Sequence, residues 1–215
     1  MDQRWRRKAV GLAQLKSTDS VVDVACGTGD LAIQFVEGLF QLHGKKLDRT
    51  FAEPSVSMSG DAPIPRKVLG IDFTFAMLSI AKAKTPRVHT FGVENDALWD
   101  GWDQAIAWLN GDALCLPLPQ QSCDVVSIAF GIRNVQDPAA AIREFHRVLR
   151  PGGRLIILEF SLPTNPILRG LYNFYFRKIL PRTATLISGD KTGAYKYLPE
   201  SVNTFIGREQ MLEMM

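Results

Sequence analysis

This 215-residue sequence predicts an α/β fold. The expected architecture is a doubly wound, mostly parallel, Rossmann-like sheet with helices on both faces. Three observations predict it. Short runs rich in β-branched residues, such as Val21–Ala25 and Arg154–Phe160, alternate with segments whose apolar residues recur at helical spacing. The runs are apolar nearly throughout, as strands covered on both faces are. Several of them end in glycine or a carboxylate, at the place where such sheets hold ligands. Strands alternating with helices imply parallel pairing through right-handed crossovers.

Composition narrows the function. The length favours one domain with a full-sized core. Hydrophobic residues at 46% and charged residues at 22% make an ordinary globular balance. A net charge of +3 without a dense Lys/Arg stripe argues against nucleic acid as a partner. No apolar run reaches the roughly 18 residues of a spanning helix. The basic start, Met1–Lys8, is not followed by a signal-peptide core. Cys26, Cys115 and Cys123 are odd in number and lack metal-ligand spacing, so they read as reduced, buried thiols of a cytoplasmic protein, and no metal is expected.

The elements follow in order. Residues 4–16 suit a helix with Trp5, Leu12 and Leu15 on one face and basic residues opposite. Val21–Ala25 forms the first strand and Gly27-Thr28-Gly29 a tight turn. The helix after it carries Leu31, Phe35, Leu39 and Leu42 and ends near Leu42. Residues 43–67 have no period and read as a surface insertion. Lys67–Asp72 is a second strand ending in a carboxylate, and Thr74 caps a helix bearing Phe75, Leu78 and Ala81. Residues 92–108 read as a second insertion in which Trp99, Trp102 and Trp108 pack locally. A third strand leads into Asp112-Ala113. Cys123–Phe130 is the fourth strand, with Gly131–Val135 at its carboxyl end. Asp137-Pro138 opens a helix that turns Ile142, Phe145 and Leu149 inward and Arg143, Glu144 and Arg147 to water. Pro151-Gly152-Gly153 makes a sharp turn before the fifth strand, Arg154–Phe160. The run Ile167–Pro181 is apolar and aromatic with only three charges. It suits a helix packed on the sheet, or one that lines a greasy site or touches a membrane surface.

Four pieces at strand ends, Gly27–Gly29, Asp72, Asp112-Ala113 and Gly131–Asn134, should share one crevice. Each suits a nucleoside. The glycines let the backbone approach it, Asp72 can accept both hydrogens of a ribose diol, and Asp112 can accept from an exocyclic adenine amine. Each ligand polar group left unsatisfied would cost about 1–3 kcal/mol. Gly27–Ala32 also fits the dinucleotide pattern, which keeps a nicotinamide-dependent oxidoreductase as a rival. Asp30, however, stands where a pyrophosphate would sit and would repel it. With Asp23 close by, the turn suits a phosphate-free nucleoside with a positive centre, such as a sulfonium.

Asp23–Asp30 resembles motif I of class I S-adenosylmethionine methyltransferases. More specifically, Phe130–Val135, Arg147–Leu155, Leu158–Ser161 and Tyr195–Ser201 resemble the ubiquinone/menaquinone biosynthesis C-methyltransferase family, from about Trp5 to Gly207. The resemblance implies S-adenosyl-L-methionine as cofactor. It implies contacts to it from Asp23, Gly27, Thr28, Gly29, Asp72, Asp112 and Ala113. Many family members carry Ser at Ala129, so one polar contact is missing here. The acceptor implied is a prenylated quinol, with Arg133 stabilising a developing phenolate and Asn134 orienting a water that takes the proton. Peripheral membrane contact is expected through 165–181. Similar proteins carry a segment upstream of a Trp-Arg pair like Trp5-Arg6 and continue beyond Met215, so the chain is expected to be incomplete at both ends. The alternatives are a methyltransferase for another small molecule and a non-catalytic, cofactor-binding fragment.

Overall fold

Val21–Val24 (β1) is buried along its whole length and forms the centre of the sheet. The structure is a computed structural model that describes residues 2–47, 67–85, 105–161, 165, 170 and 206–215. β1 pairs in parallel with Val68–Asp72 (β2) on one side and Cys123–Ala129 (β4) on the other. Ile106–Asn110 (β3) lies beyond β2, and Leu149–Leu158 (β5) lies beyond β4. The order β3-β2-β1-β4-β5 is parallel throughout. The chain steps outward one way from β1 to β3 and the other way from β4 to β5. Right-handed crossovers therefore place the intervening helices on opposite faces. This is the doubly wound sheet that the strand pattern predicts, and its direction changes between β1 and β4. Val24 is level with both Ile71 and Ile128, so the central strand tips share one edge.

The helices are Asp2–Leu12 (α1), Asp30–Leu47 (α2), Phe75–Lys84 (α3) and Pro138–Val148 (α4). α2 buries Leu31, Phe35 and Leu39 as their spacing predicts. It runs on through residues 43–47, which are helix and not insertion; residues 48–66 lie outside the described ones. α4 starts where expected: the Asp137 carboxylate accepts the Ala140 N–H at 2.9 Å. Ile142, Phe145 and Val148 are its buried face, and Leu149 already belongs to β5.

Two apolar faces differ from expectation. α1 ends at Leu12, before Leu15, and leaves Trp5 and Leu12 exposed while Ala9 and Ala13 are buried. Small residues face inward because α1 packs closely on α2, where the Val10 side chain lies 3.1 Å from where a Cβ on Gly38 would stand. In α3, Leu78 and Ala81 are buried but Phe75 is exposed. Thr74 gives no side-chain cap; its N–H goes to the Asp72 carboxylate at 2.7 Å.

The second insertion is bounded differently too. Ile106–Trp108 belongs to β3, so the sheet takes the end of 92–108, and residues 92–104 lie outside the described ones. Trp108 fills space that two glycines leave open. A Cβ on Gly70 would stand 2.3 Å from its ring, and one on Gly29 2.4 Å. Its Nε1–H donates to Thr85 Oγ1 at 3.1 Å.

Polar staples hold the loops. Pro151–Gly153 sits in an irregularity of β5, where pairing passes from Leu149↔Cys123 to Arg154↔Val125 and Gly152 takes φ +79°. Arg154 donates to the carbonyls of Ala13 and Gln14 at 2.5 and 2.6 Å and to Asp19 at 2.5 Å. Glu144 and Arg147 are partly buried, not turned to water. They pair with each other at 2.7 Å and bind the backbone of Leu116 and Leu118. Cys26 and Cys123 are buried as expected, but Cys115 is exposed, because it sits in the turn after Asp112.

Met1–Leu158 forms one compact unit and Glu159–Met215 another. Within the second, Arg208–Met214 (α5) is helical, and the Gly207 N–H donates to Gln210 Oε1 at 3.2 Å. The expected membrane-contact stretch 165–181 lies outside the described residues except for 165 and 170. Among the described residues, no helix is long and apolar enough to cross a membrane.

Candidate functional site

A cavity of about 660 Å³ opens at the tips of the strands, a size usual for small-molecule sites. The turn after β1 supplies Gly27 and Thr28, the end of β2 supplies Asp72, and the segment after β3 supplies Asp112 and Ala113. Asn134 closes the wall after β4. The four pieces that the sequence placed at strand ends thus share one crevice.

The backbone around it is bent for the purpose. Ala25 and Phe130 take φ +50° and +57°, and Gly27 takes φ +56°. Left-handed conformations at non-glycine residues concentrate at functional sites. A Cβ on Gly131 would stand 2.6 Å from Ala25 Cβ, so the turns after β1 and β4 touch.

Asp72 organises this edge. One carboxylate oxygen accepts the Gly27 N–H at 2.7 Å, and the other accepts the Thr74 N–H at 2.7 Å. A carboxylate has about four acceptor sites, so each oxygen keeps one for a ligand hydroxyl. Asn110 was not anticipated. Its Nδ2 donates to the carbonyls of Asp72 and Phe73 at 2.8 and 2.9 Å, which fixes the segment that carries Phe73 into the cavity wall. Asp112 is exposed; one of its oxygens accepts the Leu114 N–H at 2.9 Å. Ala129 gives an apolar wall there.

Three expected site residues do not line the cavity. Asp23 lies beneath it, 1% exposed, because it points between β1 and β4 and accepts the Ser127 hydroxyl at 2.6 Å. Burial pushes its carboxyl up to about 7, although Ser127 and the charge of Arg6 pull the other way. Gly29 is taken up by packing against Trp108 and Ala81. Arg133 is half-buried in the 3₁₀ turn Ile132–Asn134 and is not part of the cavity lining.

Asp30 keeps its negative charge, but a neighbouring cation offsets it. Lys84 Nζ lies 2.9 Å from one carboxylate oxygen, and the Thr28 hydroxyl donates to the other at 2.9 Å. Burial opposes its charge, but these bonds outweigh burial and hold its carboxyl below the usual range. Its repulsion of a pyrophosphate is therefore weaker than the bare sequence suggests. Arg6 is a site residue that the strand-end pattern does not reveal. It reaches the cavity from α1, its Cζ 5.4 Å from the centroid of the Phe130 ring.

The model of the ubiE/COQ5 methyltransferase family matches residues 1–215. The chain belongs to that family. The Ubiquinone/menaquinone biosynthesis C-methyltransferase UbiE of Syntrophotalea carbinolica is 38% identical over 216 residues, spanning all of this chain and 74% of its own. The Demethylmenaquinone methyltransferase of Thermus thermophilus is 39% identical over 214 residues, spanning all of this chain and 80% of its own. In fold, the chain is similar to a SAM-dependent methyltransferase structure from Thermotoga maritima. The TM-score is 0.55 at 18% identity, over 99% of this chain and 68% of that one. This member of the ubiE/COQ5 family is an S-adenosylmethionine-dependent C-methyltransferase. Its cavity fits the cofactor: acceptors remain on Asp72 and Asp112, Gly27 leaves open space where a Cβ would be, and Phe73 and Met77 offer apolar surface.

Proposed function

We propose that this chain methylates a ring carbon of a prenylated quinol, taking demethylmenaquinol to menaquinol or performing the equivalent benzoquinol step. The observation that carries this reading is the identity of 38% and 39% to relatives whose names state that chemistry, over the whole chain. The convergence of Thr28, Asp72, Asp112 and Ala113 on one cavity supports it.

S-adenosylmethionine, when bound, supplies an electrophilic methyl group on a sulfonium. Asp72 holds the ribose hydroxyls, Asp112 the adenine amine, and the backbone of Ala113 the ring edge. Gly27 and Thr28 meet the middle of the molecule; Gly29 and Asp23 support that turn from behind. Alignment of the acceptor carbon with the methyl group can contribute roughly 7–11 kcal/mol. A quinol that has lost a hydroxyl proton is nucleophilic at the adjacent ring carbon, so the acceptor must be reduced. Arg133, behind the cavity lining in the same turn, favours the phenolate only through its charge at a distance, and Asn134, which lines the cavity, orients a water that accepts the proton leaving the ring carbon. The prenyl tail needs an apolar groove, for which the apolar and aromatic run Leu171–Phe176 is the candidate by sequence. The enzyme works in the cytoplasm, with peripheral membrane contact through 165–181; flotation with lipid vesicles checks this, and protein left wholly in the aqueous fraction would remove it.

The test is transfer of labelled methyl from S-adenosylmethionine to demethylmenaquinol and to its benzoquinol counterpart, each supplied reduced and oxidised. Label is expected only in a reduced acceptor. Asn134→Ala is expected to lower kcat by about 10²-fold, Arg133→Ala by less, and both are expected to keep cofactor affinity. Folded protein that labels neither reduced quinol would overturn the assignment.

A further inference from the structure

We propose that Arg6 binds the carboxylate at the amino-acid end of the methyl donor. The inference concerns this residue alone and rests on S-adenosylmethionine being the donor. Among the described residues lining the cavity, Arg6 is the sole cation, against the carboxylates of Asp30, Asp72 and Asp112. The donor brings a carboxylate of its own. An anion placed among three carboxylates needs a facing cation to offset repulsion and desolvation. Lys84 is the other cation nearby, but it does not line the cavity.

The sheet order fixes where Arg6 acts. Asp72 ends β2 and Asp112 follows β3, both on one side of β1. Phe130, over which Arg6 lies, follows β4 on the other side. A donor whose adenosine is held by Asp72 and Asp112 therefore extends across the β1 turn toward Arg6. The side chain is placed for this from two directions. Ala9 and Ala13 are buried, and Arg154 grips the carbonyls of Ala13 and Gln14, which seats α1. The Phe130 ring lies 5.4 Å below the guanidinium. A guanidinium resting on an aromatic face directs its N–H fork in its own plane, the geometry that matches a carboxylate.

Calorimetric titration tests this with two ligands. S-adenosylhomocysteine keeps the amino-acid carboxylate; 5′-methylthioadenosine keeps the adenosine and thioether but lacks the amino-acid group. Arg6→Ala is expected to weaken S-adenosylhomocysteine by about tenfold or more and to leave 5′-methylthioadenosine within about twofold. Arg6→Lys, which keeps a point charge without the fork, should fall between wild type and Arg6→Ala for the first ligand only. It carries the comparison if the alanine variant does not fold. Equal weakening of both ligands would show that Arg6 only props the fold, and unchanged S-adenosylhomocysteine affinity would equally overturn the proposal. A wild-type protein that binds neither ligand would overturn the donor assignment itself, and this inference with it.

Discussion

The Ser127 hydroxyl donates to the Asp23 carboxyl at 2.6 Å between the two central strands, beneath the cavity floor. Both residues are buried, and β1 and β4 are in register there, Asp23 opposite Ser127. A carboxyl in that place keeps its proton to higher pH than an exposed one: burial pushes it up to about 7 from the ordinary 3.8.

The sign of the pH dependence follows. The folded chain holds the Asp23 proton up to about pH 7, whereas the unfolded chain releases it near 3.8. The stability tied to this group is complete below about pH 4 and is lost as pH rises to 7. The loss is on the order of 4 kcal/mol. Asp23→Asn removes the titrating group. Relative to wild type, its unfolding free energy in urea should improve as pH is raised from 4 to 8. A difference that stays constant with pH would contradict the assignment.

Trp108 occupies the space over Gly70, so Gly70→Ala forces an alanine methyl against a ring 2.3 Å away. A loss of about 1–3 kcal/mol is expected in urea unfolding. Adding Trp108→Leu should recover part of that loss, since the two positions share one space. Strict additivity of the two changes would contradict the contact.

Arg154→Ala should remove three hydrogen bonds that tie the end of α1 and Asp19 to β5. It leaves the 4% exposed Asp19 without that cation. Loss of about 3 kcal/mol is expected, with earlier hydrogen exchange of the α1 amides. A melting temperature within a degree of wild type would show that the staple contributes little.

The fold was legible because its strands are runs of Val, Ile and Leu that end at a glycine or an acid, and helices with wide apolar stripes separate them. The site was legible for the same reason: Gly27, Asp72 and Asp112 each stand at the end of such a run. What was hidden depended on packing between elements. The buried face of α1 is not legible in the sequence because it is Ala9 and Ala13, which carry little hydrophobic signal next to Trp5 and Leu12. Trp108 looked like part of an insertion because its partners, Gly29 and Gly70, leave only a missing side chain as a signal. Asp23 looked like a site acid because alternation puts it one step from the turn, but the pleat aims it at Ser127. Arg6 stood far from every motif in the sequence; only the crossing of α1 beside the strand tips brings it to Phe130. The one available signal was the Trp5-Arg6 pair.

Everything proposed for the cavity depends on the methyl donor lying across the strand tips, held by Asp72. Calorimetric titration of the wild type and of Asp72→Ala with S-adenosylhomocysteine, with NADH as the control, tests this most directly. The wild type should bind one equivalent and ignore NADH. Asp72→Ala should bind at least about tenfold more weakly. Binding of NADH in preference, or Asp72→Ala that binds S-adenosylhomocysteine as the wild type does, would contradict it.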